Sequence, residues 1–270
     1  MNLKDRWMKL RNYQSDDFWA MLFARPLTIL LLLPIAEKPW LTPDRITLAG
    51  VLVKFAGIFF VFYDKSYLGA VLGAVLLNIG LIVDNMDGTL ARFRNTPTKF
   101  GYYFDKTSDC VTMVPMFWAL AYRGWLETQD QFTLILPLLA AATIYIAAYS
   151  KWVYEKVFLE LKLSEKFYKN EIVEFVANMQ KCPKWSTPPQ RGFTDWVKFF
   201  IQAIVSILKF NEVDVFFWVG LTLITGKYII FTVYSGLLVC GIFAPFVFGW
   251  KILKKEKEIN ALRDQVEKQS

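Results

Sequence analysis

The chain has 270 residues, 55% of them hydrophobic and 17% aromatic, with a formal net charge of +7. An ordinary soluble domain is about 45–50% apolar, so this composition excludes one. There is no histidine, which removes Ser-His-Asp and Cys-His catalysis and imidazole-ligated zinc and leaves acid–base work to Asp, Glu, Lys, Tyr or Cys.

Taken in chain order, the first apolar run is 18–36, FWAMLFARPLTILLLLPIA. Arg25-Pro26 and Pro34 interrupt it, and no small-residue cleavage pattern follows Glu37. It reads as an amphipathic helix lying in the interface, with Phe18 and Trp19 at headgroup level, so that 1–45 forms a cytoplasmic, interfacial N-terminal segment. Pro43 then suits the first turn of a new helix. Runs approaching the roughly 20 apolar residues of a bilayer span fall at 46–63, 68–91, 101–122, 131–155, 213–225 and 228–250, the fifth being short. Glycines at 50, 57, 69, 73 and 80 let the first two spans approach closely. The polar loop 93–99 is short enough to bring span three back antiparallel beside span two. Residues 156–195 read as a long polar loop, and 195–210 as a second interfacial helix, which makes 156–212 a cytoplasmic insertion. Residues 251–270 form a solvated, charged helical tail. The expected architecture is an all-α polytopic protein with six transmembrane helices in one membrane domain, 46–250.

The positive charge is distributed as in a membrane protein rather than a nucleic-acid binder. Lys4, Arg6, Lys9, Arg11, Arg25, Lys38 and Arg45 precede span one, and Arg92, Arg94 and Lys99 follow span two. Lys162, Lys166, Lys169, Lys181, Lys184 and Arg191 occupy the long loop, while the opposite connections hold little more than Lys65, Arg123 and Lys227. The positive-inside rule then puts both termini and the 93–99 loop in the cytoplasm, in the plasma or inner membrane if the cell is prokaryotic. Cys110, Cys182 and Cys240 show no CxxC spacing and give no disulfide or metal framework. Cys110 reads as a buried, inert thiol.

Four aspartates carry the chemistry. Asp84 and Asp87 are three residues apart near the end of span two, and Asp105 and Asp109 four apart at the start of span three. Each spacing puts both carboxylates on one helix face, and an antiparallel hairpin lets all four share a pocket. Acids in membrane-length apolar sequence mark function by default. Oxygen ligands without His or Cys favour hard cations, Mg²⁺ or Mn²⁺, and four carboxylates suffice for two ions clamping a phosphoryl group. Gly88 and Gly101 clear space beside them, Arg92 can grip a phosphate, and Thr98 offers a hydroxyl.

The pattern Asp84-x2-Asp87-Gly88-x2-Ala91-Arg92-x8-Gly101-x3-Asp105-x3-Asp109 resembles the signature of the CDP-alcohol phosphotransferase family at every fixed position. The resemblance implies a six-helix membrane enzyme, commonly a homodimer, with a cytoplasmic site. Such an enzyme moves a phosphoalcohol group from a CDP-alcohol to an acceptor hydroxyl and releases CMP. It further implies that Asp84 and Asp105 bridge two metal ions, that Asp87 and Asp109 ligate one each, and that Asp109 is the general base. Thr47, Gly88, Ala91, Arg92, Thr98 and Gly101 then contact the CDP-alcohol. Asp44 stands where the family usually has Asn, and Cys110 where several subfamilies have Arg or Lys.

CDP-diacylglycerol as donor, with a small polar acceptor such as serine, glycerol phosphate or inositol phosphate, is the expected chemistry within phospholipid synthesis. The alternative is a CDP-choline or CDP-ethanolamine enzyme with a lipid acceptor, diacylglycerol or ceramide. Outside the family, a cation or proton transporter could use such acids, but these cluster at one depth with no second rank across the bilayer. An intramembrane prenyltransferase usually has Asn four residues before its first aspartate, where this chain has Gly80.

Overall fold

Prolines and glycines set where the helices of this chain start and how closely they pack. The computed structural model describes residues 2–11, 17–169, 171–172, 192–206 and 212–269. All regular elements among them are helical, as the apolar periodicity predicts. The chain divides into two compact units, residues 1–141 with 186–237, and residues 142–185 with 238–270.

In the first unit, α1 (Leu3–Leu10) precedes a π-helical turn (Ala20–Ala24) that leads into α2 (Arg25–Ile35). The wider turn falls just before Pro26, at the start of α2, where a missing N–H costs little. Both α1 and α2 pack on α4 (Tyr67–Arg94), forming a core of Leu10, Ile29, Leu32, Ala36, Leu41, Ile46, Met86, Leu90 and Phe93. Thr28 donates to the Ile82 carbonyl at 3.0 Å. Trp19 donates its indole N–H to Asn78 of α4 at 2.8 Å, since a half-buried indole needs an acceptor. Arg94 ties down the connection after α2, donating to the carbonyls of Ala36, Lys38 and Leu41 at 2.6–3.0 Å.

Helix α3 (Pro43–Tyr63) starts at Pro43 as expected. It packs against α4 along facing glycines. A Cβ on Gly57 would sit 3.1 Å from the Gly73 carbonyl oxygen, and one on Gly80 would sit 3.3 Å from that of Gly50. Contacts that close exclude side chains on both helices. The opposite face of α3 exposes Leu48, Leu52, Phe55, Phe59 and Phe62 at helical spacing, as a lipid-facing surface would.

Helix α5 (Lys99–Thr128) returns after four residues, with Asn95 in the left-handed conformation (φ 55°) and Thr98 as N-cap. It packs chiefly on α3 rather than alongside α4, which corrects the expected pairing of spans two and three. Both α4 and α5 present carboxylates toward one another, and mutual repulsion favours a gap between them, with α3 bridging it. Two further corrections fall on α5. Arg123, expected in an outer loop, lies within the helix and is 1% exposed. Its guanidinium donates to the Asp64 and Ser66 carbonyls at 2.6 and 2.8 Å and to the Tyr228 hydroxyl at 2.7 Å, closing the bundle end remote from the aspartates. Cys110, expected buried, is exposed, because it follows Asp109 by one residue and so turns off the inward face.

The first unit also contains the start of α6 (Gln131–Tyr168), α7 (Phe193–Ser206), α8 (Val215–Thr225) and most of α9 (Ile229–Val239). Helix α7 covers 195–206 of the segment read as a second interfacial helix, and it exposes Phe193, Trp196, Phe200, Ile201 and Ile204. Helix α8 packs on α4 and ends at Gly226 (φ 66°). In the second unit, α6 runs on to Tyr168, so 156–168 is helix rather than loop; its Leu, Lys and Glu residues favour continuation. Most of the remaining loop, with Lys181, Cys182, Lys184 and Arg191, lies outside the described residues. A 3-10 turn (Cys240–Phe243) leads into α10 (Ala244–Gln269), which carries the charged tail as predicted. Lys255 of α10 pairs with Glu165 of α6 at 2.8 Å, and Tyr154 stacks on Phe248.

Among the described residues, four helices are long and apolar enough to cross a membrane: Pro43–Tyr63, Tyr67–Arg94, Gln131–Tyr168 and Ile229–Arg263. Helix α5 has the length but carries Lys99, Asp105, Lys106, Asp109, Arg123 and Glu127, and α8 has 11 residues.

Candidate active site

Three helices build the site, and each contributes for a local reason. Helix α4 runs unbroken past its apolar part to Arg94, so Asp84 and Asp87 stay helical and face α3 and α5. Thr98 caps α5 by accepting the Gly101 N–H at 2.9 Å, which fixes where that helix starts and hence where Asp105 and Asp109 point. Helix α3, locked to α4 by glycines, brings Thr47 and Lys54 between them.

One carboxylate oxygen from each of Asp84, Asp105 and Asp109 lies within 4.8 Å of the others. Asp87 is not one of this trio and is 6% exposed. Thr47 donates its hydroxyl to Asp87 Oδ2 at 2.5 Å, and the Gly88 backbone N–H donates to Oδ1. Thr47 therefore acts in the first instance on a carboxylate. Three acids at this separation need positive charge among them. Lys54 Nζ supplies it from α3, at 2.9 Å from Asp84 and 3.1 Å from Asp109. Lys106 adds an exposed ammonium 3.5 Å from Asp105 and 3.6 Å from Asp109.

The other expected residues surround this centre. Gly88 has no side chain, and a Cβ there would lie 3.2 Å from Arg92 Nη1, so the glycine leaves the guanidinium its place. Arg92 donates to Thr89 Oγ1 at 3.3 Å, and Arg25 of α2 donates to the same oxygen at 3.1 Å. Ala91, half-buried, lies one residue earlier. A Cβ on Gly101 would lie 3.0 Å from Thr98 Oγ1 and 3.9 Å from Asp44 Oδ1, which brings Asp44 to the rim.

Sequence reasoning missed Lys54. Its signal was there: a lone charge inside the apolar run 46–63, which the rule that singled out the aspartates also covers. It missed Thr89 and Arg25 as well, and no spacing pattern marks a hydroxyl shared across 64 residues.

The donor set fits hard divalent cations: carboxylate oxygens from three or four acids, partly exposed, with neither sulfur nor imidazole among them. Comparison with known proteins agrees with that chemistry. Residues 40–181, more than half of the chain, match the family described as CDP-alcohol phosphatidyltransferase.

The chain belongs to this family.

Among curated relatives of this CDP-alcohol phosphatidyltransferase family member, the CDP-diacylglycerol–serine O-phosphatidyltransferase of Helicobacter pylori is 34% identical over 88 residues, 32% of this chain and 35% of its own length. The archaetidylinositol phosphate synthase of Pyrococcus horikoshii is 26% identical over 111 residues, 41% of this chain and 54% of that protein. The phosphatidylinositol phosphate synthase of Mycobacterium tuberculosis is 29% identical over 121 residues, 44% and 54% respectively. The chain thus spans about half or less of the length of the curated relatives it matches.

Proposed function

We propose that this protein transfers a phosphatidyl group from a CDP-alcohol, CDP-diacylglycerol in the first place, to the hydroxyl of a small polar acceptor with release of CMP. The observation that carries this reading is the convergence of Asp84, Asp105 and Asp109 within 4.8 Å, beside Gly88 and Arg92. The names of the three relatives support a lipid-linked donor and a polar acceptor.

In this reading Asp84, Asp87, Asp105 and Asp109 hold two divalent cations, Mg²⁺ or Mn²⁺. Bound cations would neutralise the pyrophosphate and stabilise CMP as the leaving group. Thr47 fixes the Asp87 carboxylate, and Arg92 holds a phosphate oxygen of the donor through its guanidinium. Gly88, Ala91 and Gly101 leave room for the nucleotide, and Thr98 borders it. Asp109 takes the proton from the acceptor hydroxyl, which attacks the phosphorus remote from cytidine. Asp109 suits that part because it is the more exposed partner of Lys54, its side chain 29% exposed against 13% for Asp84.

The same reading carries six membrane crossings, with α5 and α8 added to the four longer helices, the site and both termini cytoplasmic, and a homodimer in the membrane. The basic residues flanking α3, α4 and α6 support the orientation.

The test is CMP release by the purified protein in detergent with Mg²⁺ or Mn²⁺. CDP-diacylglycerol is supplied with serine, glycerol phosphate or inositol phosphate in turn, and CDP-choline with diacylglycerol as the contrasting pair. We expect release with CDP-diacylglycerol and one polar acceptor, abolished by chelator and by Asp109→Asn. Release confined to CDP-choline with diacylglycerol would reverse donor and acceptor. Turnover retained in Asp109→Asn would remove the base assignment.

A further inference from the structure

Lys54 is the one charged residue in the stretch 46–63 of α3 and is 1% exposed. A buried ammonium is tolerated only where opposite charge meets it. Its stem runs over Gly80 of α4, where a Cβ would lie 2.5 Å from Lys54 Cγ; any larger residue there would displace it. Its Nζ ends between Asp84 of α4 and Asp109 of α5, and lies 5.7 Å from the Phe216 ring centroid. Thus α3 delivers a fixed positive charge to the two helices that carry the acids.

We propose that Lys54 is a built-in cation of the carboxylate centre, which holds Asp84 and Asp109 together before any ion arrives and competes with the divalent ion for the same oxygens. The proposal rests on the reading of this centre as a divalent-cation site. Two physical effects follow from one ammonium. By pairing with both acids it offsets their repulsion, so the ion meets a preassembled site. By sharing their oxygens and repelling a second cation a few ångströms away, it weakens the hold on that ion. Lys54 is in this sense a positioning residue that sets how tightly and how reversibly the site is loaded. The exposed Lys106 ammonium has no such consequence, because solvent screens it and its side chain can swing away.

The test compares wild type with Lys54→Met, which keeps the length and apolar packing of the stem. Lys54→Gln serves as a second variant that keeps a hydrogen-bond donor without the charge. Both are purified in Mn²⁺, so that the ion balances the acids, and then depleted of it. Mn²⁺ binding is followed by the electron paramagnetic resonance of free ion, and thermal unfolding is recorded with and without Mn²⁺. We expect both variants to bind Mn²⁺ at least about tenfold more tightly than wild type. Both should unfold at lower temperature without ion, and gain more on saturation. Equal or weaker binding in the variants, with wild type still binding, would overturn the role of Lys54 and leave the metal site standing. If neither wild type nor variants bind Mn²⁺, the metal-site reading fails and this inference with it.

Discussion

Asp87 and Thr47 show how much of the site rests on single contacts. Asp87 lies a turn beyond Asp84, and its carboxylate accepts from Thr47 of α3 and from its own neighbour's N–H. A ligand oriented by one hydroxyl loses its aim when that hydroxyl goes, and outer-shell losses of this kind typically cost about 10–100-fold in metal affinity or activity. Thr47→Ala should therefore lower CMP release by about that factor with little change in unfolding temperature, whereas Thr47→Ser, which keeps the oxygen, should stay close to wild type. Equal activity in Thr47→Ala and wild type would mean that Asp87 is oriented by Gly88 alone. The four aspartates, Arg92 and both glycines were legible as residues from spacing alone. The partition of the acids into a trio and an outlier was not, because side chains on one helix face can still choose different partners on a third helix.

At the scale of elements, the decisive one is the α3–α4 seam. Gly57 and Gly73 approach so closely that each would place a Cβ 3.1–3.2 Å from the other's carbonyl oxygen. That contact aligns Thr47 with Asp87 and Lys54 with Asp84, each pair bridging the same two helices. Gly73→Leu should force the helices apart at a cost of about 1–3 kcal/mol for overpacking. We expect a lower unfolding temperature and a parallel loss of CMP release. Gly249→Ala, where an added Cβ would meet nothing within 4 Å, is the control: it should leave CMP release unchanged and, since alanine favours a helix over glycine, should not lower the unfolding temperature. The sequence marked these glycines as sites of close approach. It misjudged the partner of α5, since loop length dictates that α5 must return but leaves its neighbour to packing and charge.

For the whole molecule, charge and apolar length make separate contributions. Four described helices meet the length and composition of a membrane span, while α5 carries six charged residues, Asp105 and Asp109 among them, and α8 is short. If all six cross, reporter fusions after Arg94 and after Tyr168 should report the cytoplasmic side, and fusions at Lys65, Asp130 and Lys227 the opposite one. Like signals from Lys65 and Arg94 would refute the crossing of α4, and like signals from Arg94 and Asp130 that of α5.

The sequence by itself determined the helical class, the starts of α3 and α5, and the acids, glycines and arginine of the site. Those follow from local rules: the fixed φ of proline, the capping hydroxyl of Thr98, and the helical repeat that puts residues three and four apart on one face. Only the tertiary structure decided that α3 lies between the two acidic helices, that Arg123 closes the far end, and that Lys54 sits among the carboxylates. These depend on which helices meet, and that choice is made by close packing and charge balance among residues far apart in the chain.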